Sequence, residues 1–456
     1  MKFLRGFTKK EVSWMMYDWA NSAHSVVVVT ILPIFFNTVA GYMQDAASGM
    51  TVWGYATSAA MAIVALAAPV LGVFGDFEGF RKKLFTVFML VGVLSCAGLA
   101  ITPQLDFVTP GTAETVGLII LVLYILSTIG FAGANLYYDS FLNDVTTEER
   151  MDKVSTMGYG LGYIGGSTIP LLIFLLMNLI LGSDAMLFCL SFAFGLTAVW
   201  WFVFSFPLLK NVEQVSYVPR KKGAVAEALK GIGATVKEIF RYKQMFVFLI
   251  AYFFYIDGVN TIIHMSTSYG DTLGLDSTSM LLALLLVQVL GLPFCLLYMK
   301  LSAKFGARFM VGVGICVYMF ICVFGFFMRS LWQFWLLAVL CATSQGGIQA
   351  LSRSMYGKLI PDKQRSGEFF GFFDIFGKFS SIIGPTLVGI VSSAVASGML
   401  AEQGLTAATA TAEQIDAINA ASSPYGILSI LLIVGLGGAL YFFVLPKYLK
   451  ASGKKI

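Results

Sequence analysis

Long apolar runs of about 20 residues, broken only by short charged or Gly/Pro/Asn punctuation, recur along the whole chain. A helix needs about that many apolar residues to cross a ~30 Å hydrocarbon core. Inside hydrocarbon the backbone amides must be satisfied within the segment, so only helices or closed barrels can span. Barrel strands alternate apolar and polar residues, whereas these runs are continuous, so the spans are helical. The chain is 58% hydrophobic and only 12% charged, too little polar surface to cover a soluble fold. The fold class implied is an all-α membrane protein. The first run, 14–39, is too long for a signal-peptide core and lacks a small-residue cleavage site, so it reads as a retained helix.

The runs place twelve transmembrane helices near 14–39, 51–75, 83–102, 116–142, 154–181, 185–208, 245–269, 278–299, 309–328, 331–356, 368–396 and 425–446. The longest polar insertion holds Pro219, Arg220, Lys221 and Lys222, then a helical-looking stretch with Lys230, Lys237 and Arg241. It separates a six-helix half (1–209) from a second (245–456) by a linker (210–244). Arg150, Gly162 and Pro170 recur at one common interval as Arg365, Gly377 and Pro385, which suggests two pseudo-symmetric halves.

Basic residues cluster in alternate loops: Lys2 to Lys10, Arg81 to Lys83, Arg150 and Lys153, the linker, Lys300 to Arg308, Lys358 to Arg365, and Lys447 to Lys455. The opposite loops carry Asp45, Asp106, Glu114, Asp184, Asp271, Asp276, Glu402, Glu413 and Asp416, with Arg329 as their one basic residue. Positively charged loops resist translocation, so both termini are expected to be cytoplasmic. The net charge of +5 follows from this bias and implies no nucleic-acid partner. The six cysteines fall within the spans without metal-ligand spacing and read as small packing residues.

Between the second and third spans the sequence reads Gly72-Val73-Phe74-Gly75-Asp76-Phe77-Glu78-Gly79-Phe80-Arg81-Lys82-Lys83, echoed weakly by Lys304-Phe305-Gly306-Ala307-Arg308. Such a glycine-bearing turn lets helices pack closely, and its Asp can cap a neighbouring helix end or pair with an Arg. Gly72, Asp76, Gly79, Arg81 and Lys82 resemble the loop signature of the major facilitator superfamily. The expected role of Asp76 is in the conformational cycle, without contact to the solute. Four further segments carry a closer resemblance: Tyr17-Asp18-Trp19-Ala20-Asn21-Ser22, Tyr255-Ile256-Asp257-Gly258-Val259-Asn260, Gln349-Ala350-Leu351-Ser352-Arg353-Ser354, and Gly377-Lys378-Phe379 with Gly384-Pro385. They are similar to the "unknown major facilitator" family, whose eukaryotic relatives include autophagy-linked vacuolar amino-acid effluxers. The resemblance implies a twelve-helix carrier whose first, fourth, seventh and tenth helices line a central cavity, with amino-acid export attested for the distant relatives. The short loops and termini resemble the bacterial members and imply a bacterial cytoplasmic membrane.

A charge at the bilayer centre costs about 2.5–3.5 kcal/mol on insertion scales, so each intramembrane ionisable residue is a candidate functional group. Asp257 lies about a dozen residues into the seventh helix, ~18 Å deep, near the midplane. It reads either as the group that carries the coupling proton or as a structural Asp bonded to Asn260 or to backbone. Asn260 and His264 lie on its face and extend a polar stripe. On the first helix Asp18, Asn21 and His24 fall within two turns. His24 suits proton coupling because modest perturbation switches imidazole near neutral pH, while Asp18 reads equally as an interfacial pair. Asp374 and Lys378, one turn apart, could join Arg353 and Asp139 in an inner ion-pair cluster, either a gate or an anion site.

Neither a His-Glu-x-x-His nor a Gly-x-Ser-x-Gly pattern is present, nor a phosphate-cradling Gly-rich loop, which argues against an enzyme or a primary pump. No metal or cofactor is expected. The reading is a secondary active transporter working by alternating access, with proton-coupled export of an amino-acid-like or other small polar metabolite. Its partners would be that solute, a coupling H⁺ and the bilayer, and it would act as a monomer. The alternatives are a drug, metabolite or peptide-like solute carrier of the same fold, or a non-transporting receptor or scaffold. The topology predicts that a cysteine placed at Gly223 stays unlabelled by an impermeant maleimide added outside intact cells. Labelling without permeabilisation would invert the assignment.

Overall fold

A computed structural model describes residues 4–43, 48–109, 111–219, 233, 235–406 and 409–453. Outside them lie Lys2, Asp45, Arg220, Lys221, Lys222, Gly223, Lys230 and Lys455, each named above. The described chain is helical apart from short turns and one isolated parallel bridge, Phe77 with Val218. Its helices are α1 (Lys9–Val26), α2 (Leu32–Ala40), α3 (Ser48–Asp76), α4 (Phe80–Leu99), α5 (Ala113–Ser140), α6 (Leu142–Val145), α7 (Glu148–Leu161), α8 (Ile169–Leu181) and α9 (Met186–Asn211). They continue with α10 (Lys243–Thr272), α11 (Ser277–Phe305), α12 (Ala307–Phe326), α13 (Leu331–Leu359), α14 (Ser366–Glu402), α15 (Ala412–Ala439) and α16 (Leu445–Ser452). Two compact units emerge: Met1–Ala234 with Ile360–Ile375, and Thr235–Leu359 with Phe376–Ile456.

Among the described residues, eleven helices are long and apolar enough to cross a membrane. The expected first span is helical from Lys9 to Ala40, α1 passing into α2 through a π-helical turn at Val27–Ile31, and it is not among those eleven. α15 begins at Ala412, well before the apolar run expected from 425. A capping box, with Thr411 and Gln414 exchanging side-chain and backbone hydrogen bonds, starts this helix in its polar stretch. Apolar patterning finds the buried length of a helix and misses such extensions.

In the first unit, α1 is gripped on a glycine face. Gly158, Gly162 and Gly166 recur at four-residue steps along α7 and the π-helical segment Gly162–Thr168. A Cβ at Gly158 would lie 2.5 Å from Asp18 Oδ2, one at Gly162 would lie 2.6 Å from Ser22 Oγ, and one at Gly166 would lie 2.6 Å from Ser22 Cβ. Small residues at that spacing let two helix backbones approach closely in a bilayer.

The start of α1 is fixed by a second capping box. Thr8 Oγ1 accepts the Glu11 N–H at 3.2 Å, and the Thr8 N–H donates to Glu11 Oε2 at 2.7 Å. Arg150, in the first turn of α7, grips the same carboxylate through two hydrogen bonds of 2.7 Å, and the Thr146 hydroxyl adds a third. Burial alone would push the Glu11 carboxyl up, but the bonds from Arg150, Thr8 and Thr146, with the Arg150 charge, outweigh it and hold it at about 2. A carboxyl lowered in the folded state contributes stability that is present above its unfolded value and lost as pH falls. The melting-temperature gap between the wild type and Glu11→Gln should therefore be constant above about pH 5 and close between about pH 4.5 and 2. A pH-independent gap would show that the charge on Glu11 is not what holds α1 to α7.

Candidate functional site

In the first unit, one face of α1 runs antiparallel along α5. Trp14 stacks on Tyr138 with centroids 4.4 Å apart and donates its indole N–H to the Tyr138 carbonyl at 2.8 Å. The Tyr138 hydroxyl donates to Asp18 Oδ2 at 2.7 Å, and one step further in, Asn21 Nδ2 donates to Asn135 Oδ1 at 2.6 Å. Another turn on, His24 stacks on Phe131 at 4.6 Å and tilts against Trp201 of α9 at 5.4 Å. The pairs climb one helix as they descend the other because residues three to four apart share a helix face. His24 is 2% exposed, and among the described residues neither of its ring nitrogens has a hydrogen-bond partner. Imidazole in this aromatic slot presents two unused polar positions.

The loop signature forms a closed network in the same unit. Asp76 Oδ1 accepts from Arg81 at 2.7 Å and from the Gly367 N–H at 2.7 Å, while Oδ2 accepts the Glu368 N–H at 2.8 Å. Asp76 thus both pairs with Arg81 and caps the first turn of α14, where free N–H groups and the helix dipole favour an anion. Arg81 is fully buried and also reaches Asp144 Oδ2 at 2.6 Å. A Cβ at Gly72 would collide with the backbone of Gly367, so this approach requires glycine. Gly79 turns the chain into α4 with φ +72, in the left-handed region. Lys82 is half-buried. The beginning of the linker seals the network: Gln214 donates to the Gly75 carbonyl at 3.1 Å, Ser216 N–H to Asp144 Oδ1 at 2.9 Å, and Val218 N–H to the Asp76 carbonyl at 2.8 Å.

In the second unit, Asp257 of α10 is fully buried. Its Oδ1 accepts the Gly384 N–H at 2.9 Å and the Thr261 hydroxyl at 3.4 Å. Its Oδ2 has no hydrogen-bond partner among the described residues. A Cβ at Gly384 would collide with Thr261 Oγ1, so glycine is what admits α14 to this carboxylate. Asn260 donates to Ser380 Oγ of α14 at 3.3 Å, one turn before Gly384 on that helix. Tyr255 shares a 2.6 Å hydrogen bond with Ser352 of α13.

Asp18, Asn21 and His24 therefore share one face in the first unit, and Asp257 and Asn260 share another in the second; His264, expected to continue that stripe, is exposed. Asp139 and Asp374 belong to the first unit, and Arg353 and Lys378 to the second. Arg353 is buried and the other three are half-buried. Sequence reasoning missed Phe131, Asn135 and Tyr138, whose spacing of four and three residues marks one face of α5. It also missed Thr261 and Asp144. Among the described residues no group of three or more His, Cys, Asp or Glu side chains is placed to hold a metal ion.

A family model described as "Vacuole effluxer Atg22 like" matches residues 50–399. The chain is 46% identical over 395 residues to the MFS-type transporter YxiO of Bacillus subtilis (strain 168), covering 85% of this chain and 90% of that one. It is 26% identical over 334 residues to autophagy-related protein 22 of Pichia angusta, covering 59% of each, so the match spans less than two thirds of this fungal relative. Among solved structures, the proton:xylose symporter XylE superposes with a TM-score of 0.66 at 12% identity, covering 98% of both chains. A bacterial homologue of the iron transporter ferroportin, outward-facing, gives 0.64 at 15% identity, covering 98% of this chain and 100% of that one. These two likenesses establish the major facilitator fold.

Removing Arg81 would leave the Asp76 and Asp144 carboxylates buried without their shared cation. Arg81→Met should lower stability by about 3–5 kcal/mol, read as the thermal melt of detergent-purified protein. A melt within error of the wild type would mean that the network is not formed.

Proposed function

This chain belongs to the Atg22-like vacuole effluxer family of major facilitator transporters, and from that membership we propose that it is a secondary active carrier exporting a small polar, amino-acid-like solute with proton coupling. The carrier uses twelve spans, with the rod from Lys9 to Ala40 as the first. Halves 1–209 and 245–456 alternate access across a cytoplasmic linker, 210–244. Both termini are cytoplasmic, and the chain works as a monomer in a bacterial cytoplasmic membrane. Asp76 and its network serve the conformational cycle.

Asp257 carries this reading. Its Oδ1 is held by two donors while Oδ2, fully buried, has none among the described residues. A proton on Oδ2 turns a buried acceptor-only group into a neutral one, which costs far less to enclose than a bare charge. Loading and release at this atom need little rearrangement, which suits a coupling site. The Asp18, Asn21, Asn135 and Tyr138 groups offer hydroxyl, amide and carboxylate partners that suit a zwitterionic solute, with His24 as a second titratable position beside them. Asn at 257 keeps the size and the acceptor facing Gly384 but cannot titrate. In proteoliposomes Asp257→Asn should exchange solute at equal concentrations across the membrane and lose pH-driven accumulation. Accumulation against a solute gradient under an imposed proton gradient would move the coupling site elsewhere, with His24 next to be replaced.

A further inference from the structure

The second unit carries a groove of about 730 Å³ that lies apart from Asp257 and its partners. Phe305, Phe309, Phe320 and Phe442 are among its walls, and Arg308 stands among them beside the hairpin turn at Gly306. That turn joins two spans, α11 and α12, and so marks the membrane surface. Lys304 lies at the same end, its ammonium 5.0 Å from the centroid of the Phe305 ring. Among the described residues no carboxylate pairs with Lys304 or Arg308. From Phe309 to Phe320 the groove follows α12 for about 16 Å, roughly half of a ~30 Å hydrocarbon core. Its depth is therefore that of one leaflet. Gly312 keeps it open, since a Cβ there would come within 2.8 Å of Phe442, and Cys316 is exposed within it, unlike a packing cysteine.

We infer that this groove binds one acyl chain of an anionic glycerophospholipid, with the phosphate held by Arg308 and Lys304. The apolar length fits a single-leaflet chain, and two cations at its surface end complement an anionic headgroup. Native mass spectrometry of the full detergent-purified chain tests this, with phosphatidylglycerol and phosphatidylcholine of identical acyl chains added in parallel. The wild type should retain phosphatidylglycerol about fivefold or more over phosphatidylcholine. Arg308→Gln should bring the two lipids level, Arg308→Lys should preserve the preference, and Val317→Trp, which fills the groove, should remove both; an unchanged melting temperature establishes that each variant is folded. Equal retention by the wild type, or a preference that survives Arg308→Gln, would overturn the role of the cations. Retention undiminished in folded Val317→Trp, or displacement of the lipid by soluble glycerol phosphate, would overturn the acyl-chain site.

Discussion

A polar group carried into hydrocarbon must find its partner within the protein, because no water is there to supply one. The arrangement of this chain follows from that requirement. α1 brings in Asp18 and Asn21, and α5 returns Tyr138 and Asn135 at matching steps. α10 brings in Asp257 and Asn260, and α14 answers with the Gly384 N–H and Ser380. Against so consistent a pattern the exceptions carry information. His24 and Asp257 Oδ2 stand among several such exceptions, Arg81 Nε included: both are buried, polar and without hydrogen-bond partners among the described residues, each in a different unit. A buried polar atom left unsatisfied costs about 1–3 kcal/mol, more for a charged group, so each of these positions carries a cost that the rest of the fold offsets.

The loop signature answers the same requirement at a helix end. Asp76 supplies acceptors for two N–H groups of α14 that the helix itself cannot satisfy, and Arg81 balances its charge. Asp144 and the first residues of the linker complete the shell. Breaking this contact would expose the free N–H groups of α14 and the Asp76 carboxylate together.

The apolar runs made the helices legible, and the glycine-Asp-Arg turn made its network anticipable in kind. The partners were another matter. Gly367 and Glu368 lie 291 and 292 residues from Asp76, and no local periodicity encodes such a pairing. On α5 the charged Asp139 drew attention, whereas uncharged Tyr138 and Asn135 face α1; in a membrane, hydroxyl and amide groups do this work at lower insertion cost. Glu11 drew no expectation, although Thr8-x-x-Glu11 is a readable capping box. Gly384 was noted only for its motif, since the closeness of Thr261 is a tertiary fact.

The ladder between α1 and α5 also bears on how the protein is made. Tyr138 follows Asp18 by 120 residues, and Asn135 follows Asn21 by 114. At ~5–20 residues per second, a ribosome needs about 6–24 s to deliver the second strand of that ladder after the first. Throughout that interval the newly made first helix holds a carboxylate, a carboxamide and an imidazole with nothing opposite them. It must therefore wait at the insertion machinery, or at the membrane interface, until its mate emerges. The polar face of α1 is thus housed well after it is made, and the Asp76 carboxylate, whose partner Gly367 follows by 291 residues, later still.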